Sequence, residues 1–279
     1  MKGNFRKFIS IQSVSHQSNF LIPAHEMQIF SPKKSETLLI IPVINEGERI
    51  RNQLQRINGL NLGIDVLIAD GGSNDGSLDR EFLLNQNVLA LLINKDKAGV
   101  SNQLKTAFNY AVKMQYKYVI TMDGNNKDHP NGIVNIQNSL ENGFEFVQGS
   151  RFIREGQAIN TPISRYWAIR LIHAPLTSLF ACRWYTDTTN GFRGFHISIF
   201  KDPLINPFRE KLQNYDLLFY LPIRISRLRY KVSEVPVIRE YPKKLPTPTK
   251  IKGFKSMLKL LISLIRTGVG FNNPKSDPI

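Results

Sequence analysis

From Thr37 onward, short and continuously apolar runs alternate with polar turns and with segments of helical periodicity. The apolar runs cover residues 38–42, 66–69, 88–93 and 118–122, and the helical spacing covers 46–57 and 100–113. An apolar run without alternation is typical of a strand buried on both faces, and such strands alternating with helices favour a parallel sheet. The sequence therefore predicts an α/β fold with a mostly parallel central sheet and helices on both faces.

Polar and acidic side chains follow three of these predicted strands. They are Asn45 and Glu46 after the first, Asp70, Ser73 and Asp75 after the second, and Asp123, Asn125 and Asp128 after the fourth. Parallel sheets bind ligands where the carboxyl ends of their strands meet, so we expect these loops to form one site. Each loop alone is also an ordinary turn or helix cap, but three acidic loops at one edge favour a hard divalent cation that bridges phosphates. The sequence carries no dinucleotide-binding glycine motif, no P-loop and no zinc motif.

The positive charge of the chain is concentrated in its second half. The chain of 279 residues has a formal net charge of +15, yet residues 37–150 hold ten basic and twelve acidic side chains, whereas residues 201–279 hold sixteen and six. A basic half favours an anionic partner, which is a nucleic acid, a phospholipid surface or a phosphorylated substrate. Cys182 is the single cysteine, which excludes an internal disulfide and favours a reducing, cytosolic setting.

The N-terminal residues are basic, but no apolar stretch typical of a signal peptide follows them. The longest apolar runs are far shorter than the roughly 20 residues that cross a bilayer. We therefore expect a cytoplasmic protein without a signal peptide or transmembrane helix. Residues 1–36 are mixed and polar and are interpreted as an N-terminal extension.

Six short motifs together resemble one known family. They are the runs at 41–46, 69–77, 121–125, 149–151, 187–193 and 233–237. In order and spacing they resemble family 2 glycosyltransferases of the GT-A fold, above all the dolichyl-phosphate mannose synthase and polyprenyl-phosphate glycosyltransferase branch. The resemblance covers roughly residues 37–250. It implies a GT-A domain with a nucleotide-sugar and metal half over 37–150 and an acceptor half over 151–250.

The resemblance also implies roles for single residues on the donor side. The nucleotide sugar would be held by Pro42, Asn45, Glu46, Asp70, Ser73, Asp75, Lys97 and Asp123. Mg²⁺ or Mn²⁺ would be held by Asp123, Asn125 and Asp128. The chain departs from the pattern here, because Asn125 replaces the second acid of the D-x-D motif and the next segment is one residue longer. Asp128 either restores the lost carboxylate or caps a helix.

On the acceptor side, the resemblance implies that Arg151, Arg165, Arg193 and Arg239 contact the acceptor phosphate, which suits the bidentate geometry of guanidinium. Asp187 is the candidate catalytic carboxylate, together with Asp123. It would act as a base toward a hydroxyl acceptor, orient a phosphate acceptor, or merely cap its turn. A single displacement by either acceptor would invert the anomeric centre.

Two stretches have the composition of membrane-surface segments. Residues 252–266 carry an apolar stripe flanked by lysines and Arg266, within a basic amphipathic C-terminal segment over 251–279. Residues 165–184 mix arginines with Tyr166, Trp167 and Trp184. The same patterns also fit helices that pack on a core.

These expectations combine into an inverting, metal-dependent glycosyltransferase that acts on polyprenyl phosphate as a peripheral protein on the cytoplasmic membrane face. One alternative is transfer to a sugar hydroxyl during surface polysaccharide or lipid-linked glycan synthesis. Another is a non-catalytic module that binds anionic lipid or nucleic acid. Nucleic acid is not expected as a partner, because the basic residues do not form a known recognition motif.

Overall fold

The structure of the protein is a computed structural model that describes residues 22–95, 99–243 and 253–274. The strands are β1 (His25–Ile29), β2 (Thr37–Val43), β3 (Asp65–Asp70), β4 (Val88–Asn94), β5 (Tyr118–Thr121), β6 (Phe146–Ser150), β7 (Gln157–Ile159), β8 (Arg193–His196), β9 (Val232–Pro236) and β10 (Ile238–Glu240). The helices are α1 (Glu48–Gly59), α2 (Arg80–Asn85), α3 (Val100–Lys113), α4 (Gly132–Glu141), α5 (Ile163–Trp167), α6 (Ala174–Ala181), α7 (Ser198–Lys201), α8 (Asp216–Arg227) and α9 (Gly253–Gly268). A π-helical segment, Ala168–His173, joins α5 to α6.

Eight strands form one sheet in the order β1-β4-β3-β2-β5-β8-β6-β9. Strands β2 to β5 are mutually parallel, whereas β1 and β8 run antiparallel to their neighbours. The predicted α/β fold with a mostly parallel sheet is therefore confirmed. The segment interpreted as an extension contributes to this sheet, because β1 pairs with β4 along His25–Ile29.

The sheet separates two apolar layers, since consecutive side chains of a strand point to opposite faces. Leu38 and Ile40 of β2 belong to the layer that also contains buried side chains of α3, α6, α8 and α9. Leu39 and Ile41 belong to the layer that contains buried side chains of α1, α2 and α4. Burial on both faces explains why β2 is continuously apolar, as the sequence indicates.

A small parallel sheet of β7 and β10 lies beside the main one. Next to it, Asp128 forms an isolated antiparallel bridge with Arg239, so the segment after β5 is tied to β10. Helix α9 packs on α6, where the ring of Phe180 fills the space beside Gly268. No helix of the described residues is both long enough and apolar enough to cross a membrane.

Candidate active site

The loops after β2 and β3 are joined to one another by side-chain hydrogen bonds. The backbone N–H of Asn45 donates to Ser73 Oγ at 2.9 Å, and the backbone N–H of Asn74 donates to Asn45 Oδ1 at 2.9 Å. The backbone N–H of Gly47 donates to Asp75 Oδ2 at 2.8 Å. The structure thus brings these predicted donor-side residues together at the carboxyl edge of the sheet.

Asp70 supports the same loop from within. Its side chain is buried, and Ser73 donates to it through both its backbone N–H, at 3.0 Å, and its hydroxyl, at 2.6 Å. The remaining predicted residues of the first loop lie beside it. Pro42 is partly buried in β2, and Glu46 accepts from Arg49 Nε at 2.9 Å. Lys97 lies outside the described residues.

Two glutamines, which the sequence analysis did not identify, hold these strand ends. Gln103 of α3 donates from Nε2 to the carbonyls of Val43, at 2.6 Å, and of Ala69, at 2.8 Å. Gln53 of α1 donates to the carbonyl of Asp123 at 2.9 Å and accepts from the backbone N–H of Asn126 at 2.7 Å. Both are buried, and their hydrogen bonds fix the loops in place. A single glutamine in a helix carries no sequence signal for such a role.

Asp123 lies where the end of β5 meets the loop before β8. A Cβ atom on Gly191 would lie 2.4 Å from Asp123 Oδ1, so this contact requires a glycine. Thr121 donates from Oγ1 to the carbonyl of Gly191 at 2.7 Å, which fixes the loop in place. The Asp123 side chain is 33% exposed, so its carboxylate is partly accessible to solvent.

The other predicted metal ligands are directed elsewhere. Asp128 is fully buried and paired with Arg239 Nη1, while Arg239 Nη2 donates to Asp123 Oδ2 at 2.9 Å. Asn125 Oδ1 accepts from the backbone N–H of Lys127 at 3.3 Å. Within the described residues, no group of three or more His, Cys, Asp or Glu is placed to hold a metal ion. The predicted set for Mg²⁺ or Mn²⁺ therefore does not fit this arrangement, in which one guanidinium joins the two carboxylates.

Arg239 was predicted to contact the acceptor phosphate, and in the structure its guanidinium is bonded to two carboxylates. Burial opposes its charge, but the carboxylates of Asp128 and Asp123 raise the pKa of Arg239 above its ordinary value. A guanidinium remains charged in proteins, so Arg239 supplies a permanent positive charge beside Asp123.

Asp187 and Arg151 form a buried ion pair. Arg151 donates from Nε to Asp187 Oδ2 at 2.6 Å and from Nη2 to Oδ1 at 2.9 Å, and neither side chain is more than 2% exposed. Burial raises the pKa of Asp187, but the guanidinium of Arg151 outweighs this effect and holds the pKa below its ordinary value. An enclosed carboxylate of low pKa does not fit the predicted base, and an occupied guanidinium does not fit the predicted phosphate ligand.

Arg193 is also enclosed. It donates to the backbone carbonyls of Thr188, at 2.9 Å, Asn190, at 3.2 Å, and Leu218, at 2.8 Å. Its side chain is among the largest fully buried ones. This arrangement does not favour the predicted contact between Arg193 and an acceptor phosphate, because the guanidinium is used to hold the loop before β8.

A cluster of cations surrounds Tyr241, directly beyond β10. Arg165 of α5 donates from Nη1 to the Tyr241 hydroxyl at 3.1 Å, and Lys127 Nζ lies 4.9 Å from the centroid of its ring. Burial raises the pKa of Tyr241, but Arg239 and Arg165 outweigh it and lower the pKa. We call Lys127, Arg165, Arg239 and Tyr241 the cationic cluster. Lys127 and Tyr241 were not identified from the sequence, although Lys127 directly precedes Asp128 and Tyr241 lies two residues after Arg239.

A site built in this way can bind two anionic groups side by side. The loops of Asn45, Asp70 and Asp75 meet Asp123 at the strand ends, and the cationic cluster begins at Arg239, which contacts Asp123 directly. The hydrogen bond from Arg239 to Asp123 therefore joins the two predicted halves of the site.

Comparison with known proteins agrees with this geometry. The family model described as glycosyl transferase family 2 matches residues 38–203. The chain is 22% identical over 204 residues to the polyprenol monophosphomannose synthase of Mycolicibacterium smegmatis. The aligned residues make up 72% of this chain and 76% of the relative. It is 27% identical over 243 residues to the UDP-N-acetylglucosamine–dolichyl-phosphate N-acetylglucosaminyltransferase of Methanococcus voltae, which covers 80% of this chain and 94% of the relative.

A solved structure with a similar fold is glucosyl-3-phosphoglycerate synthase from Mycobacterium tuberculosis, in complex with Mn²⁺, UDP and its product. The TM-score is 0.62 at 14% sequence identity, over 87% of this chain and 82% of that one. The same enzyme has been solved with Mg²⁺ and UDP. At this identity the likeness establishes a GT-A-like fold and nothing finer.

Proposed function

Because the chain belongs to glycosyl transferase family 2 and is a glycosyltransferase, we propose that it moves a sugar from a nucleotide-diphosphate sugar to the phosphate of a polyprenyl phosphate. The donor would be held by Pro42, Asn45, Glu46, Asp70, Ser73, Asp75 and Asp123, which line the carboxyl edge of the sheet, with Lys97 as a further predicted contact. The relatives from M. smegmatis and M. voltae carry polyprenol or dolichyl phosphate in their names, which supports this acceptor class.

The observation that carries the proposal is the cationic cluster next to Asp123. Arg165 and Lys127 converge on Tyr241, and Arg239, although paired with Asp123 and Asp128, adjoins the same ring. This concentration of positive charge favours an anionic ligand. A terminal phosphate is such a ligand. Its position beside Asp123 would bring a phosphate oxygen to the anomeric carbon of a donor bound at the strand ends.

The enclosed Asp187 favours a phosphate over a hydroxyl acceptor. A hydroxyl must lose its proton as it attacks, and the carboxylate predicted as base is fully buried and paired with Arg151. A phosphate oxygen is already anionic and needs no base. In the proposed step this oxygen forms a bond to the anomeric carbon while the bond to the nucleotide diphosphate breaks, and the electron pair leaves with the diphosphate. A single displacement of this kind inverts the anomeric centre.

Incubation of the purified chain with UDP- and GDP-sugars, in turn with undecaprenyl phosphate, dolichyl phosphate and undecaprenol, tests the acceptor. We expect transfer to a polyprenyl phosphate and none to undecaprenol, which lacks the phosphate but keeps the lipid chain. The anomeric configuration of the product, read by NMR, should be opposite to that of the donor. Transfer to a glycan hydroxyl, with none to either lipid phosphate, would replace this proposal by the hydroxyl alternative.

Arg165→Gln should weaken the acceptor site specifically. We expect the acceptor KM to rise about tenfold, because a charge-assisted hydrogen bond contributes about 1.5–3 kcal/mol, while the donor KM changes little. Arg229→Gln is a matched control, since Arg229 is exposed and precedes β9 at the opposite end of the sheet. Equal KM values for wild type and Arg165→Gln would remove Arg165 from the acceptor site.

We also propose that the enzyme binds to a membrane surface through α5, α6 and α9. Exposed apolar side chains are concentrated on these helices and the segments beside them: Ile163, Trp167, Leu171, Ile172, Leu179, Trp184, Met257, Leu258, Ile262, Ile265, Val269 and Phe271. Arg165 belongs to α5 together with Ile163 and Trp167, which are 77% and 53% exposed. A lipid phosphate bound at Arg165 would thus have its apolar chain next to these side chains.

A further inference from the structure

We propose that the Arg239 guanidinium takes the place of a divalent cation between Asp123 and Asp128, so that this chain binds a nucleotide diphosphate without requiring a metal ion. The inference rests on the proposed function, since it concerns the positive charge that faces the diphosphate of the donor. It assigns to Arg239 the role that the sequence resemblance gives to Mg²⁺ or Mn²⁺.

The Arg239 guanidinium bonds both carboxylates of the predicted metal site. A single group, the guanidinium, contacts Asp128 Oδ2 through Nη1 and Asp123 Oδ2 through Nη2. Two carboxylates that share one cation at their centre are the arrangement that an oxygen-ligated divalent ion would need. Here a side chain of the protein supplies that cation, and its planar shape allows it to bond both carboxylates at once.

Arg239 is held in this position by its backbone as well. The backbone N–H of Glu240 donates to the carbonyl of Lys127 at 2.8 Å, and that of His129 donates to the carbonyl of Ile238 at 2.9 Å. These two bonds flank the bridge between Asp128 and Arg239. The lengthened segment that follows the D-x-D position is therefore paired with β10. This pairing brings Asp128 to Arg239.

The predicted ligands are poorly placed for a cation from solvent. Asn125 replaces an acid and its side-chain oxygen accepts from its own loop, while the Asp128 side chain has no exposed surface. A cation from solvent reaches Asp128 only if the surrounding structure, Arg239 included, moves. Of the three predicted ligands, Asp123 is then the one that both carries a negative charge and is partly exposed, and Arg239 already bonds it.

A second positive charge adjoins the first. The Lys127 side chain is 4% exposed, and its burial, together with the nearby Arg239, lowers the pKa of its ammonium group. Positive groups fixed in a partly desolvated site stabilise developing negative charge more strongly than they do in water. Arg239 and Lys127 can in this way offset the charge of a departing diphosphate, with Asp123 orienting the guanidinium.

Isothermal titration of the full chain with UDP and with GDP, in EDTA and in Mn²⁺, tests the inference without any turnover. For the nucleotide that binds, we expect wild-type Kd values within about threefold of each other in the two conditions. Arg239→Gln should weaken binding in EDTA by about tenfold or more, and Mn²⁺ should restore much of it, because Asp123 and Asp128 are then available to the ion. Arg229→Gln serves as the control and should bind like wild type in both conditions.

The titration results distinguish a failure of this inference from a failure of the proposed function. Wild-type binding that needs Mn²⁺ would overturn the inference and leave the proposed function intact, as would binding by Arg239→Gln in EDTA at wild-type affinity. If neither nucleotide binds in either condition, the proposed function itself fails. Should Arg239→Gln not fold, because it leaves Asp128 buried and unpaired, the double variant Asp128→Asn/Arg239→Gln removes both charges, and the wild-type comparison decides on its own.

Discussion

Individual charged residues of this site differ in how far they are exposed. Arg165 and Asp123 are partly exposed, whereas Arg151, Asp187 and Arg193 are buried and bonded inside the protein. The backbone N–H groups of Thr186 and Asp187 both donate to Glu234, at 3.0 and 3.3 Å, so a second, half-buried carboxylate fixes the same loop. The motif around Asp187 therefore acts on the site by holding Gly191 against Asp123.

Arg151→Gln should destabilise the protein strongly. The change leaves the Asp187 carboxylate buried without its ion pair, and breaking a buried pair from one side costs about 3–5 kcal/mol. Denaturant unfolding followed by circular dichroism measures this loss. The double variant Arg151→Met/Asp187→Asn removes both charges and should recover most of it. An unchanged unfolding midpoint for Arg151→Gln, combined with a raised acceptor KM, would return Arg151 to the acceptor site.

Which charged residues are buried could not be predicted from the sequence. Arg193 and Arg165 have the same side chain, and both adjoin aromatic residues in the sequence, yet Arg193 bonds three carbonyls inside the protein and Arg165 reaches Tyr241. The difference arises from contacts with Leu218 and Tyr241, which are distant in sequence. The predicted donor loops were brought together as expected because they follow parallel strands, whose order alone brings their ends to one edge.

Among the elements, the π-helical segment Ala168–His173 links α5, which carries Arg165, to α6. The Nδ1 atom of its last residue, His173, lies 2.9 Å from Thr188 Oγ1, and the imidazole packs against the ring of Phe219. Burial, assisted by the nearby charge of Arg193, lowers the pKa of His173 from 6.5 to about 4. The imidazole is therefore neutral in the folded protein at neutral pH, and it connects the α5–α6 stretch to the Asp187 loop.

The low pKa of His173 makes stability depend on pH in a defined direction. Between pH 6.5 and about 4 the unfolded chain binds a proton at this residue and the folded chain does not, so stability falls as the pH is lowered through this range. The free energy of unfolding falls by up to about 3 kcal/mol from this cause, since one pKa unit corresponds to about 1.4 kcal/mol. The unfolding free energies of wild type and His173→Gln should converge as the pH falls from 7 toward about 4. Parallel curves for the two proteins would show that His173 titrates normally.

The elements themselves were predictable where burial made them continuous. β2, β3, β4 and α3 lie within a residue or two of the apolar runs and the helical spacing that predict them. Strand β1 escaped prediction because its sequence, HEMQI, mixes polar and apolar side chains, as an edge strand that pairs on one side only allows. β7 and β10 have three residues each, too few for a periodic pattern.

For the whole molecule, the uneven charge of the sequence corresponds to a division of the site. The acidic loops of residues 37–150 meet at the carboxyl ends of β2, β3 and β5, while the later residues supply Arg165 and Arg239 and the exposed apolar helices. Arg170, Arg183, Lys259 and Arg266 are exposed on or beside those helices. Apolar side chains interspersed with cations are typical of a surface that lies on an anionic bilayer. The net charge thus favours a lipid surface over a nucleic acid as the partner of this half.

Vesicle flotation tests this surface directly. We expect the wild-type chain to float with vesicles that contain phosphatidylglycerol, and less with vesicles of phosphatidylcholine alone, because the exposed arginines and lysines add an electrostatic attraction to apolar insertion. Leu179→Ser/Trp184→Ser removes two side chains that are 69% and 70% exposed, and should lower the vesicle affinity by about tenfold or more, since burial of a large apolar side chain is worth about 1.5–3 kcal/mol. Phe144→Ser is the matched control, because Phe144 is exposed apolar surface just before β6, at the opposite end of the sheet. A double variant that floats like wild type, or a loss equal to that of Phe144→Ser, would mean that α6 does not enter the bilayer. Transfer to a water-soluble, short-chain polyprenyl phosphate should survive the double change, because neither side chain belongs to the cationic cluster.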